Sequence, residues 1–300
     1  MISCGIVIHG GVGSSPRLTS ACKAICERAF SILKEGGPAL EAVTEAVRLL
    51  EDDGRFNAGS GSSLRLDGRT VEMDAGVMDS EGRIGMVMAL RNVRNPILVA
   101  RAVTETPHVA LAGQGATLFA RQRGLAPSPP VSERALIQHR EIQRLIREGR
   151  LEERDGRWRG SDMSRLWNFE VAYGEVPPPD TVGAVAIDRS GGVAAAASTG
   201  GAPPMMLGRV GDTALVGSGL YAAYGAAVTV TGMGEEIIRR MLSKTVYDLI
   251  RSGQETETAC GEGLSLFPPE MATGIIAISA GGYAIRANRR MAAYSLIEEV

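Results

Sequence analysis

The chain has 300 residues, a net charge of −2 and 44% hydrophobic residues, and this composition excludes several classes of protein. A chain of this length can bury a substantial core, in one large domain or two small ones. A broad nucleic-acid surface needs an excess of basic residues, which the sequence lacks. No apolar run reaches the length of a membrane span, and the N-terminus shows no signal sequence, so we expect a cytoplasmic protein.

The first 125 residues predict short buried strands and amphipathic helices. Residues 6–9 form a strand that runs into a glycine-rich turn. Helices are expected over 19–36 and 38–50, because proline starts the second and glycines follow the first. Asp67-Gly68 indicates a hairpin turn. Further strands are expected over 63–66, 70–78 and 84–93, and further helices over 96–104 and 115–123.

The composition changes between Pro127 and Asp180. This segment is rich in proline, arginine and glutamate, and only 133–148 has a helical pattern. The rest predicts a flexible surface excursion, ending at the three prolines 177–179. Prolines cannot join a central strand, so Thr181 stands at the border of an ordered strand over 181–188. Taken alone, a threonine at this position more often simply opens a strand.

The second half begins as strands and continues as helices. Residues 181–188 and 192–198 predict a hairpin, with further strands over 212–216 and 226–231. Because strands and helices are grouped rather than alternating, we expect an α+β fold of stacked antiparallel sheets with outer helices. Helices are expected over 234–245 and 255–264, and a last hairpin pairs 274–278 with 283–287.

Three glycine-rich segments of the second half carry the most specific pattern. They are Ser198-Thr199-Gly200-Gly201, Gly208-Arg209-Val210-Gly211-Asp212 and Thr231-Gly232-Met233-Gly234-Glu235. With Thr181, in this order and spacing, they resemble the isoaspartyl peptidase and plant-type L-asparaginase family. These are amidohydrolases of the N-terminal-nucleophile class, related to glycosylasparaginase and threonine aspartase. The resemblance covers nearly the whole chain outside the excursion, and His9-Gly10-Gly11 is a further landmark of it. It implies a four-layer αββα sandwich.

The resemblance also implies that the chain cuts itself between Asp180 and Thr181. The products would be an α subunit of residues 1–180 and a β subunit of residues 181–300, within one structural domain. A hydroxyl is a weak nucleophile and needs a base within hydrogen-bond reach. The α-amine that the cut creates on Thr181 has an ordinary pKa of about 7.7–8.0, so one residue would supply both nucleophile and base.

The other roles follow from the same resemblance. Thr199 would tune the Thr181 hydroxyl, although a threonine before two glycines can also be purely structural. Thr231 and Gly232 would hold the oxyanion, with a hydroxyl and an N–H as donors. An arginine grips a carboxylate and an aspartate accepts from an ammonium, so Arg209 and Asp212 would clamp an amino-acid end. Without the other motifs they could equally be a surface pair. Gly234 and Asn57 complete the expected substrate contacts.

The segment 50–60, which includes Asn57, resembles the family's sodium loop, in which backbone carbonyls hold the ion. No other cofactor is expected. The expected partners are a small amino-acid or dipeptide substrate and a second αβ unit in a homodimer, with no nucleic acid and no membrane. The residues expected to supply the sodium loop are Leu50, Glu51, Asp53, Phe56, Ala58 and Ser60.

The chain departs from the asparaginase pattern where the leaving group should lie. Residues 202–207 are unusually apolar, Met233 replaces a threonine, and the segment 288–291 is one residue short. Arg289 and Arg290 either bind a leaving carboxylate or are the solvated end of a hairpin. We therefore expect β-aspartyl-leucine to be a better substrate than L-asparagine. A glycosylasparaginase is the enzymatic alternative, and a binding protein of the same fold that never matures is the other.

Overall fold

The computed structural model describes residues 1–125, 127, 131–154, 156–161, 166, 168 and 181–299. Among the helices in these ranges, none is long and apolar enough to cross a membrane. The strands are β1 Ile2–Val12, β2 Met73–Asp79, β3 Ile84–Leu90, β4 Ala110–Ala112, β5 Thr181–Ile187, β6 Val193–Thr199, β7 Leu220–Ala223, β8 Ala226–Gly232, β9 Thr273–Ser279, β10 Gly282–Ala287 and β11 Met291–Glu299. The helices are α1 Thr19–Lys34, α2 Ala39–Asp53, α3 Pro96–Val103, α4 Gly113–Gln122, α5 Glu133–Arg147, α6 Leu151–Arg154, α7 Gly234–Arg240, α8 Leu242–Arg251 and α9 Thr256–Ser265.

The strands form two sheets. In the described chain the larger has seven strands, in the order β11-β1-β5-β6-β2-β3-β4, and the smaller has four, in the order β10-β9-β8-β7. Neighbours are antiparallel except β3 and β4. The expectation of antiparallel sheets is therefore confirmed, apart from this one edge pair. β5 lies near the middle of the larger sheet, and all seven of its residues are buried.

Three apolar clusters join the sheets and helices. The first joins α1, α2 and α3 to one face of the larger sheet and includes Cys22, Val43 and Ile97. The second contains residues of both sheets, among them Val185 and Ile276. The third joins the smaller sheet to α8 and α9. Because side chains alternate along a strand, β5 supplies Val182 and Ala184 to the first cluster and Val185 to the second. The protein is thus a mixed α and β fold with stacked sheets.

The hairpins over 181–199 and 273–287 form as predicted. Other predictions were wrong. Residues 63–66 and 212–216 are not strands, and the segment after Arg65 is a turn in which the Asp67 carboxylate accepts from the Thr70 N–H at 2.9 Å. The helix expected over 234–245 breaks at Met241, whose φ of +45° ends α7 and begins α8. β11 was missed, because its sequence lacks a clear two-residue alternation.

The excursion contributes helices of its own. α5 forms where the helical pattern predicted it, and its Ile142 and Ile146 pack with Leu66 and Leu151 in a small apolar cluster. This contact attaches the excursion to the turn that follows Arg65. The residues 169–180, which include the three prolines and Asp180, lie outside the described ranges, so the expected flexibility stays a prediction.

Candidate active site

Thr181 lies at the start of β5 with its hydroxyl among other threonine hydroxyls. Antiparallel pairing of β5 with β6 sets Thr181 directly opposite Thr199. The Thr181 Oγ1 donates to the Thr199 Oγ1 at 3.4 Å, and the Thr199 Oγ1 also accepts from the Gly201 N–H at 3.0 Å. The expected neighbour of the nucleophile is therefore in reach of it. Asp180, the other side of the expected cleavage site, lies outside the described residues.

Thr213 is a third threonine beside the Thr181 hydroxyl, and it was not predicted from the sequence. Its Oγ1 lies 3.4 Å from the Thr181 Oγ1, and the residue is 1% exposed. The signal available in the sequence was a hydroxyl residue directly after Asp212, which was already assigned to the site. The Thr181 hydroxyl thus has two hydroxyl neighbours rather than one.

His9 packs against the strand that begins at Thr181. Its ring lies across Gly183, where a side-chain Cβ would approach the Nε2 to 2.5 Å. The Nδ1 accepts from the Gly11 N–H at 3.1 Å. Complete burial lowers the pKa of His9 to about 3. The imidazole is therefore neutral, and because its Nδ1 accepts from Gly11 the proton is on Nε2, which has no hydrogen-bond partner within the described residues.

Thr231 and Gly232 reach the same place from the smaller sheet, at the end of β8. The Thr231 Oγ1 accepts from the Val12 N–H at 3.3 Å, which leaves the hydroxyl proton available for donation. Gly232 has a φ of +149°, and a Cβ there would lie 2.4 Å from the Ala272 carbonyl oxygen. Glycine is required at this position for both reasons. The two sheets thus bring Thr181, the expected nucleophile, and the expected oxyanion donors together.

Arg209 and Asp212 form the charged end of the site. Both press against Gly234, where a Cβ would lie 2.7 Å from the Asp212 Oδ1 and 2.9 Å from the Arg209 Nη2. The Asp212 Oδ2 is buried and has no hydrogen-bond partner within the described residues. Burial raises the pKa of Asp212 to about 7, and the nearby Arg209 opposes the shift. A buried acceptor without a partner beside a cation suits the ammonium and carboxylate of an amino acid.

Glu235 is a further charged residue to which no role was assigned from the sequence. Its Oε1 accepts from the Arg209 Nε at 3.0 Å, and its other oxygen pairs with Arg157 of the excursion. Burial raises the pKa of Glu235, but the charges of Arg209 and Arg157 outweigh it and hold the pKa below its ordinary value. The Arg157 Nη2 also donates to the Ala202 carbonyl at 3.3 Å. The excursion is thus bound to the charged end of the site.

The four threonines, Gly232, Arg209 and Asp212 share one cleft of about 350 Å³. Of the apolar segment 202–207, only Ala202 and Pro203 line it, while Met205 is buried against Arg65. The expected apolar wall is therefore correct only in part. The lining residues are Val12, Arg154, Gly156, Arg157, Thr181, Thr199, Gly201, Ala202, Pro203, Arg209, Asp212, Thr213, Thr231, Gly232, Met233, Gly234, Glu270, Met271 and Ala272.

Three residues with expected substrate contacts lie away from this lining. Arg289 and Arg290 are exposed at the turn before β11, which favours the solvated-end interpretation. Asn57 is fully buried behind the cleft, where its Nδ2 donates to the Gly201 carbonyl at 2.7 Å. Its Oδ1 accepts from the Ser63 N–H at 3.1 Å and from the Ser63 hydroxyl. Asn57 therefore braces the loop after Thr199 instead of lining the cleft.

The loop expected to bind sodium follows α2. Glu51 is fully buried, and its Oε1 accepts from the Ser198 Oγ at 2.6 Å and from the Ile97 N–H at 3.0 Å. Burial raises the pKa of Glu51 to about 8. Its carbonyl accepts from the Ser60 Oγ at 2.6 Å. At Gly61 a Cβ would lie 1.9 Å from the Phe56 carbonyl oxygen. A hard cation requires several oxygen ligands, and since the Ser60 hydroxyl already donates to the Glu51 carbonyl, the sodium ion stays a prediction. Of the other residues expected here, Leu50 and Ala58 are buried and Asp53 pairs with Arg55.

Almost the whole chain is similar to known proteins. A model of the family described as Asparaginase matches residues 2–299. The plant-type L-asparaginase of Thermococcus kodakarensis is 40% identical over 289 residues, covering 92% of this chain and 90% of that protein. The plant-type L-asparaginase of Pyrococcus horikoshii is 38% identical, with 92% and 90% covered. The isoaspartyl peptidase/L-asparaginase of Xenopus laevis is 39% identical, with 92% and 86% covered.

Proposed function

Because the chain belongs to the asparaginase family, we propose that it is an N-terminal threonine hydrolase that cuts itself before Thr181. The matured protein would then hydrolyse the β-amide of β-aspartyl dipeptides and L-asparagine and release L-aspartate. One observation carries the proposal: threonine hydroxyls and an arginine–aspartate pair converge on a single cleft, at Thr181, Thr199, Thr231, Arg209 and Asp212.

Maturation would use the hydroxyl end of the cleft. The Thr181 Oγ attacks the carbonyl carbon of residue 180, and its proton passes to the departing nitrogen as the peptide bond becomes an ester. Water then opens the ester, which yields a carboxylate on the first chain and a free α-amine on Thr181. Thr199 and Thr213, each 3.4 Å from the Thr181 Oγ1, hold the hydroxyl through both steps.

Hydrolysis of substrate repeats this chemistry with the new amine as base. The α-amine of Thr181 takes the hydroxyl proton while the Oγ attacks the β-carbonyl carbon of the substrate. The oxygen that becomes negative accepts from the Thr231 hydroxyl and the Gly232 N–H. The amine then protonates the leaving nitrogen, the C–N bond breaks, and a β-aspartyl ester remains. Water, deprotonated by the same amine, opens the ester and frees L-aspartate.

The charged end would orient the substrate. The Arg209 guanidinium would bind the α-carboxylate and Asp212 the α-ammonium, which directs the side-chain amide towards Thr181. Gly234 keeps both charged groups exposed to the cleft, because any side chain there would collide with them. Glu235 stays paired with the Nε and Nη2 of Arg209 and limits the net charge of the site.

We also propose a layered architecture, an oligomeric state, a cellular compartment and a bound ion. Three apolar clusters stacked through two sheets support a four-layer αββα sandwich, in which residues 1–180 and 181–300 remain one domain. We propose a homodimer of such αβ units. All four cysteines are buried free thiols, which agrees with a reducing cytoplasm. A sodium ion, when bound by the carbonyls of the loop after α2, would stiffen the segment that carries Asn57.

The test is incubation of the full-length protein followed by a denaturing gel and N-terminal sequencing of the smaller fragment. Two fragments, the smaller beginning at Thr181, are expected. A fragment that begins elsewhere, or a single intact band near 31.6 kDa under all conditions, would contradict maturation. Ammonia release from L-asparagine and aspartate release from β-aspartyl-leucine then test the reaction, and a glycan-linked asparagine tests the alternative enzyme.

The same assays decide the preferred substrate. Val12, Pro203, Met233 and Met271 give the cleft an apolar part, from which ammonia gains nothing. Each methylene of a leaving residue that is buried there contributes about 0.8 kcal/mol, so a leucine side chain can raise kcat/KM tenfold or more. We expect kcat/KM for β-aspartyl-leucine to exceed that for L-asparagine. A higher value for L-asparagine would overturn the preference while leaving the mechanism intact.

A further inference from the structure

The loop that carries Arg209 and Asp212 is held in place by buried side chains from residues 65–74. The Glu72 Oε2 accepts from the Gly208 N–H at 2.7 Å, and the Asp74 Oδ2 accepts from the Gly211 N–H at 3.3 Å. These two amides bracket Arg209. The Arg65 Nη2 donates to the Arg209 carbonyl at 3.1 Å. Hydrogen bonds therefore hold a backbone N–H group before Arg209, one after it, and the carbonyl of Arg209 itself.

These supports are ionisable side chains in a dry environment. Arg65 is 0% exposed, Glu72 3% and Asp74 1%. The Arg65 Nε lies 2.9 Å from the Glu72 Oε2, and the Arg91 Nη2 lies 2.7 Å from the Glu72 Oε1. Burying charges costs stability even when they are paired, and well-packed apolar residues of similar volume often stabilise a core better. Stability alone is thus a weak reason for ions at these positions.

We propose that Glu72, Asp74 and Arg65 are positioning residues for recognition of the amino-acid end of the substrate. This inference rests on the proposed function, in which Arg209 and Asp212 bind that end. None of the three supporting residues lines the cleft. They act through the loop, because a bidentate arginine–carboxylate contact requires the guanidinium in one place and a shift of about 1 Å loses much of the binding.

The test uses Glu72→Gln and Asp74→Asn. Each change keeps the size of the side chain but replaces a charged acceptor of a loop amide. Asp74 accepts from both Ala89 and Gly211, and an amide group offers only one acceptor oxygen for those two N–H groups. We expect KM for L-asparagine to rise about tenfold in each variant, with kcat within about threefold of wild type. Self-cleavage should keep its wild-type rate, because the precursor bond is not held by Arg209.

Asp79→Asn is the matched control. Asp79 is a buried acid at the opposite end of β2, and it also accepts from two backbone amides, those of Glu81 and Arg83, each at 3.0 Å. It pairs with Arg83 as Glu72 pairs with Arg91. Its replacement should lower the melting temperature and leave KM unchanged. An unchanged KM in the folded Glu72→Gln and Asp74→Asn proteins, or an equal rise in Asp79→Asn, would overturn the inference.

Calorimetric titration with L-aspartate separates this inference from the proposed function. Binding of the product requires the charged end but no turnover, so its dissociation constant should rise about tenfold in Glu72→Gln and Asp74→Asn. Wild-type protein that neither binds aspartate nor hydrolyses β-aspartyl compounds would refute the proposed function. Wild-type protein that does both, with variants that bind aspartate equally well, would refute the positioning role alone.

Discussion

The two ends of the cleft are built from different chemistry. The nucleophile end contains the neutral hydroxyls of Thr181, Thr199, Thr213 and Thr231, held by strand pairing and by backbone amides. The recognition end contains ions, with Arg209 and the other charged groups packed around it. Charge is created only transiently where bonds are made, and permanent charge there would bind water or salt. Recognition of a zwitterion needs permanent charge. The difference predicts that maturation depends on the first end alone.

The largest expected effect is that of Thr181→Ala. Removal of the nucleophile should abolish self-cleavage and lower hydrolysis by roughly 10⁴-fold or more. Thr44→Ala is the matched control, because this buried threonine donates to the Leu40 carbonyl within α2 and does not line the cleft. A denaturing gel and an aspartate-release assay measure both reactions. Cleavage of Thr181→Ala at the wild-type rate would show that the nucleophile end does not perform maturation.

Next comes Thr231→Val, which keeps the shape of the side chain but removes a donor to the oxyanion. We expect kcat to fall about 10²–10³-fold, KM to change little, and maturation to slow as well, because both reactions pass through a tetrahedral oxyanion. Thr229→Val is the control from the same strand, since the Thr229 hydroxyl is buried without a hydrogen-bond partner among the described residues. Equal losses in the two variants would contradict an oxyanion role.

Arg209→Ala should separate the two ends most clearly. Loss of two charge-assisted hydrogen bonds should raise KM for L-asparagine by roughly 10²-fold and leave self-cleavage unaffected. Arg209→Lys keeps the charge without the fork geometry and should fall between Arg209→Ala and wild type. Kinetics on matured protein give the result. If Arg209→Ala hydrolysed asparagine as wild type does, the amino-acid substrate would have to be abandoned.

A smaller effect is expected from pH. With a pKa of about 7, Asp212 is mostly protonated at pH 6 and ionised at pH 8, so KM should fall about tenfold across this interval. Because folding raises its pKa, Asp212 also contributes to the stability of the folded protein. This contribution is fully present at pH values below about 3.9, the pKa of the residue in the unfolded chain, and it is lost as the pH rises through 7. Asp212→Asn should bind weakly and remove both dependences. Identical pH profiles of KM in the two proteins would exclude Asp212 as the ammonium acceptor.

The smallest effect is expected at Arg289 and Arg290. Both are exposed and outside the cleft lining, so replacing either with alanine should change kcat/KM for β-aspartyl-leucine less than about twofold. Steady-state kinetics with wild type measured in parallel give the comparison. A tenfold loss would mean that the recognition end extends to the turn before β11.

Much of the site was predictable, because its residues stand in glycine-rich turns whose order along the chain is distinctive. Thr181 and Thr199 were assigned on adjacent strands, and strand pairing sets them opposite each other. Thr213, Glu235 and Arg157 were missed because their roles depend on contacts across 26 to 78 residues, which periodicity does not reveal. Asn57 was assigned to the substrate, although the fold turns its amide towards Gly201.

The fold shows the same limit. Hairpins over 181–199 and 273–287 were predictable from local alternation and turn residues. β11 was not, because a strand at a sheet edge is stabilised by its partner, here β1, more than by its own pattern. The break at Met241 depends on a left-handed backbone at a residue that ordinarily favours a helix.

The strand order of the larger sheet has a consequence for the matured protein. β1, β2, β3 and β4 precede residue 181, and β5, β6 and β11 follow it. Along the sheet the two fragments alternate, since β1 lies between β11 and β5, and β6 pairs with β2. The products of the proposed cut would therefore be interleaved through shared backbone hydrogen bonds and would migrate together unless denatured. Once unfolded, they must find each other again, so refolding becomes a second-order reaction that slows on dilution. Persistence of the mature enzyme would then be governed by its unfolding rate, as for other proteins that do not refold efficiently.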